Sequence, residues 1–204
     1  MNITKLKAAE TQFMDMYPGG FKNPEMIEIG KKHKMEKMVE FVAKSFSKEA
    51  FDNPATIVEN MIKVVSSSSM VSLFEKPKFR DFARSLSPAQ KQDLSASLQE
   101  LLYGDEEQGF NMLVDILKQE RIAKWPVVTV FGVYFRPQKD LLVKPTTVKN
   151  IIQQFELEDI VYKPEPTYAF YKKYRTYINK MKKEVSSSLS PSNAAFSGFL
   201  MMVS

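Results

Sequence analysis

The sequence predicts an all-α fold, a compact multi-helix orthogonal bundle of about eight or nine helices, and two regularities carry that reading. Prolines recur just ahead of apolar residues spaced three and four apart, in the first turn where a missing N–H costs a helix nothing. Sustained apolar–polar alternation, the mark of a half-buried strand, is nearly absent. At 204 residues the chain is expected to form one helical domain, 1–204. The run Ser66 to Ser69 separates a nearly charge-neutral part, 1–66, from a larger part, 70–204.

Along the chain, Lys5, Lys7 and Glu10 interrupt the apolar residues of MNITKLKAAETQF, so the start does not read as a secretory signal. Pro24 opens PEMIEIGKKHKMEKMVEFVAKSF. Pro54 follows the capping pair Asp52 and Asn53, and Pro88 follows Ser87 with Gln90 placed to complete a capping box. Leu94, Leu98, Leu101 and Leu102 form the next stripe, which Gly104 should stop; Phe110, Leu113, Val114 and Leu117 form another. Val127 to Phe135 is free of charge and bracketed by Lys124 and Arg136, as expected of a buried central helix. Leu141 to Val143 is the best strand candidate, and Val127 to Phe135 a weaker one. Pro145, Pro166 and Pro191 mark further starts. The apolar stretch 194–203 is short of the ~20 residues that cross a bilayer and reads as a terminal core helix, with Phe196, Phe199, Leu200 and Met201 inward.

Composition removes whole classes of chemistry. Without cysteine there is no disulfide, thiolate zinc site or cysteine nucleophile. His33 is the sole histidine, which removes multi-histidine metal sites. A histidine among lysines is a candidate general base, but Glu36 and Glu40 around Lys37 make this an ordinary solvated, ion-paired face. Asp105, Glu106 and Glu107, with Asp115 and Glu120, supply oxygens of the kind magnesium takes; acids opening a helix also simply meet its positive end. No glycine cluster builds a phosphate loop. No cofactor and no metal are expected.

The charge pattern points to an anion. Residues 1–159 hold 22 basic and 22 acidic side chains, whereas residues 160–204 hold seven and two. Tyr171, Tyr174, Ile178, Met181 and Val185 make a core stripe. Lys172, Lys173, Arg175, Lys182 and Lys183 around it are expected as phosphate contacts, or as a solvated basic face. Lys144, Thr146, Thr147 and Lys149 at the Pro145 helix start are expected to add hydroxyls, free amides and charge for the same polyanion; threonine capping is the competing explanation.

The segments WPVVTVFGVYFRP, KPTTVKNII, YKPEPTYAFYKKYR and LSPSNAAFSGFLMM, in that order over residues 86–203, resemble an uncharacterised prokaryotic family of mostly helical proteins. That resemblance implies a helical cytoplasmic protein and brings no activity with it. Asp140 followed by LLVKPTTVK is more faintly similar to helix-hairpin-helix DNA glycosylases, without the glycine-containing hairpin that grips phosphates.

The expected function is binding of nucleic acid or another polyanion by a cytoplasmic protein without a membrane partner. A nucleic-acid-processing enzyme using carboxylates such as Asp140 or Asp105 is the alternative. A helical interaction module, with a protein partner or a second copy meeting its Met- and Phe-rich surfaces, is the third.

Overall fold

The computed structural model describes residues 1–203, and among them it contains eleven α-helices, three short 3-10 turns and no strand. In chain order the helices are α1 (Ile3–Met16), α2 (Pro24–His33), α3 (Met35–Ser45), α4 (Pro54–Ser67), α5 (Glu75–Ser85) and α6 (Pro88–Tyr103). They continue as α7 (Glu106–Lys118), α8 (Trp125–Phe135), α9 (Pro145–Gln154), α10 (Tyr168–Lys183) and α11 (Asn193–Met202). The all-α expectation holds. The count exceeds eight or nine partly because Lys34, in the left-handed region at φ 48°, breaks the Pro24 segment into α2 and α3.

Local chemistry explains most helix starts. Proline occupies the first turn of α2, α4, α6, α8 and α9. Ser87 and Gln90 form the reciprocal capping box at α6, and Asn53 accepts from the Thr56 amide at α4. Pro166 and Pro191 lie just outside their helices instead. The starts there belong to Thr167, which accepts from the Phe170 amide, and Ser192, which accepts from the Ala195 amide.

Helix α8 lies in the core. Every residue from Trp125 to Tyr134 is buried, and Phe135 is half-buried. Its polar atoms are answered internally: Trp125 Nε1 donates to the Lys163 carbonyl at 2.8 Å, and the Tyr134 hydroxyl lies 2.9 Å from Ser68 Oγ. Leu141 to Val143, the strand candidate, is a buried segment outside any helix, with no strand beside it among the described residues. Side chains answer two of its amides, the Val143 amide donating to Thr129 Oγ1 at 3.0 Å and the Leu141 amide to the Tyr171 hydroxyl at 3.5 Å.

Gly109 sets the approach of α6 to α7. A Cβ there would lie 2.1 Å from the Leu101 amide nitrogen, closer than any side chain tolerates, so glycine lets the two backbones touch. At the chain end Phe196, Phe199 and Leu200 are fully buried, with Phe199 edge-on to Phe13 at 5.2 Å. Met201, expected inward, is 51% exposed, because it follows Leu200 by one residue and so leaves the buried stripe. Buried apolar side chains from Leu6 to Val203 form one contiguous cluster. Among the described residues no helix is long and apolar enough to cross a membrane.

Candidate functional site

The start of α9 is an open cation site. Lys144 stands at the N-cap with extended backbone, Pro145 follows, and no side chain caps the helix. Threonine capping, the competing explanation for this sequence, is therefore not how the helix begins. Thr146 is exposed and Thr147 half-buried. The Lys144 ammonium is half-buried, and burial pulls its pKa below the ordinary lysine value of 10.5. It has no counter-ion among the described residues.

Lys149 and Lys173 lean on the connection between α9 and α10. The Lys149 ammonium sits 5.2 Å from the Tyr162 ring centre, and Lys173 Nζ donates to the Asp159 carbonyl. Lys172, one residue earlier, is exposed and 5.9 Å from the Tyr168 ring. Aromatic faces and a carbonyl hold these three amines without neutralising them, which leaves their charge available to an anion.

The other expected contacts fall elsewhere. Lys183 is exposed, but on the last turn of α10, about 15 Å along the axis from Lys173 at 1.5 Å per residue. Lys182 is tied down: its amine donates to the Gln138 carbonyl at 2.9 Å, Gln138 Oε1 at 3.3 Å and Asn193 Oδ1 at 2.7 Å. Burial lowers its pKa as well.

Arg175 is the clearest departure from the expected set. It is 8% exposed and points into the bundle, where its Nη1 donates to Asp140 Oδ1 at 2.6 Å and also to Glu106 Oε1. Its Nη2 donates to Glu106 Oε2 at 3.0 Å, and its Cζ lies 5.0 Å from the Tyr171 ring centre. Arg136 completes the cluster, donating through Nε to Asp140 Oδ2 at 2.6 Å and through Nη2 to Glu106 Oε1 at 3.2 Å. Gly132 makes room, since a Cβ there would meet Asp140 Oδ2 at 3.1 Å.

This cluster has the ingredients of acid–base chemistry but not the poise. Burial raises the pKa of Glu106, but Arg175, Arg136 and Lys139 outweigh it, and the net shift is downward. Burial likewise disfavours the charged Arg175, and Glu106 and Asp140 more than reverse it. Both carboxylates are thus matched to guanidinium groups, and Glu106 has no proton to donate near neutral pH. The free space beside them is about 10 Å³, enough for roughly one water. What the arrangement does is tie the first turn of α7, the end of α8 and the middle of α10 together.

Asp105 and the histidine have local contacts. Asp105 caps α7 by accepting from the Gln108 amide at 2.9 Å. Among the described residues, no group of three His, Asp or Glu side chains could hold a metal ion. His33 is exposed and lies 2.8 Å from Ser69 Oγ through Nδ1, a pairing that no motif or spacing announces. Arg175 did carry a readable signal: it sits four residues after Tyr171 and three before Ile178, inside the core stripe. Against known protein families, curated protein sequences and solved structures, this chain shows no match.

Proposed function

We propose that the protein binds a polyanion, such as nucleic acid, through the start of α9 and the first turns of α10. The observation that carries this reading is Lys144. A lysine that is half-buried at an uncapped helix start, without a counter-ion among the described residues, retains its charge at a desolvation cost that a bound phosphate would offset. Thr146 and Thr147 add hydroxyls beside it, and Lys149, Lys172 and Lys173 add unneutralised charge.

The alternative of carboxylate-based catalysis draws less support. Of its acids, Asp140 is committed, with Glu106 beside it, to arginines around a space for one water, and Asp105 is taken up capping α7. Arg175 is committed with them, and Lys182 is held by Gln138 and Asn193, so neither belongs to the proposed contacts.

The test is a salt titration of binding to short single- and double-stranded DNA and RNA, for the wild type and a Lys144→Ala/Lys149→Ala/Lys172→Ala/Lys173→Ala variant. The expected result is wild-type affinity that falls steeply with salt, by a logarithmic slope of about −0.9 per duplex phosphate contacted, and a variant that has lost it. No wild-type binding at low salt, or an unchanged slope in the variant, would overturn the reading.

A further inference from the structure

A second corner of the molecule carries unspent apolar surface and charge. The loop Ser68 to Phe74 joins α4 to α5 and is firmly anchored. Ser68 meets Tyr134 inside the core, the Met70 amide donates to Ser68 Oγ at 3.1 Å, and Val71 is buried. Ser72 and Glu75 close the loop reciprocally, the Glu75 amide donating to Ser72 Oγ at 3.2 Å and Ser72 Oγ to Glu75 Oε2 at 3.0 Å. From this fixed base Leu73 and Phe74 stand 80% and 82% exposed. An anchored loop that holds two large apolar side chains in water presents them to something.

Beside Phe74 lies a hollow of about 50 Å³, with Ile122 and Val127 as apolar lining and Lys78, Arg121 and Lys124 as cations. None of those three cations has an ion-pair partner among the described residues. Glu75, the acid in the lining, is engaged with Ser72. Arg121 adds an independent observation. It sits in the left-handed region at φ 59°, closing the end of α7 through the Ile122 amide and the Leu117 carbonyl at 3.0 Å. Glycine is the residue that fits such a position with least strain; the chain keeps a cation there instead, beside the hollow.

We propose that this corner docks an acidic segment of a partner protein, one that carries an aromatic or aliphatic side chain between its carboxylates. The apolar side chain fills the hollow against Phe74 and Ile122, the carboxylates meet Lys78, Arg121 and Lys124, and Leu73 is covered alongside. A bare phosphate backbone leaves the apolar wall unused, and a flat lipid surface leaves the hollow unfilled. The site shares no residue with the α9–α10 lysines and does not depend on their role.

A random-peptide display library panned on the full chain tests this, followed by titration of the enriched peptide. Enrichment of peptides with Asp or Glu flanking Phe, Leu or Trp is expected. Arg121→Gly removes the cation and relieves the backbone, so it should weaken the peptide roughly tenfold or more while leaving the melting temperature unchanged or raised. Phe74→Ser should weaken it comparably, and the quadruple lysine variant of α9 and α10 should leave it intact. No acidic–apolar enrichment, equal affinity in Arg121→Gly or Phe74→Ser, or binding to phosphatidylserine vesicles or RNA at this corner in place of peptide would overturn the proposal.

Discussion

Helix α10 carries two kinds of cation, and their fates differ completely. Arg175 faces inward and meets Glu106 and Asp140 with planar, paired hydrogen bonds, whereas Lys172 and Lys173 face outward and meet a ring and a carbonyl. The difference follows from chemistry as well as position. A guanidinium can bridge two carboxylates at once and desolvates more readily than an ammonium, which keeps its water. Charge count along a helix therefore says little about charge available to a ligand.

The comparison breaks most severely at Arg175. Arg175→Met should cost about 3–5 kcal/mol in urea denaturation, because it leaves Glu106 and the buried Asp140 short of their partner. A loss within that of an ordinary surface substitution would mean the cluster ties nothing together. Gly109→Ala should follow at about 1–3 kcal/mol, since the new methyl meets the α6 backbone rather than a movable side chain. Lys182→Ala should cost about 1 kcal/mol through its lost bonds to Gln138 and Asn193. Lys172→Ala and Lys173→Ala should each stay within about 0.5 kcal/mol. An order reversed between Lys182 and Lys172 in the same denaturation series would erase the distinction between tied and open lysines.

Acid sharpens the same contrast. The folded pKa of Glu106 lies below its ordinary 4.5, so its contribution is fully present above that value and is lost as pH falls through the lowered one. Urea midpoints should therefore drop with acid in the wild type, and the share owed to Glu106 should vanish in Glu106→Gln. The depressed pKa of Lys144 acts at the other end: polyanion affinity should begin to fall with rising pH before 10.5, and Lys144→Ala should flatten that part of the profile.

Much of this architecture was legible because it is local. Proline with a capping side chain announced α4 and α6, the charge-free run announced α8, and the three-and-four spacing of Tyr171, Tyr174, Ile178 and Met181 announced the buried face of α10. What sequence spacing missed is tertiary. The spacing puts Arg175 inside the core stripe, but only the fold brings its partners Glu106 and Asp140 against it. Lys182 reads as exposed until Gln138 and Asn193 reach it. Leu141 to Val143 reads as a strand until Thr129 and Tyr171 take up its amides. Of the α9 site, the residues and their helix start were legible, while the missing cap and the half-burial of Lys144 depend on how the chain packs.

The buried cluster also bears on time. Its bonds join residues 69 and 30 positions apart in the chain, Arg175 to Glu106 and Arg136 to Glu106, so three helices must be seated before it closes. Interactions that form this late contribute little to the folding transition state and act on the barrier to opening. Stopped-flow measurements on Arg175→Met should show an accelerated unfolding limb with a folding limb close to wild type, making the cluster a latch that sets how long the native state lasts.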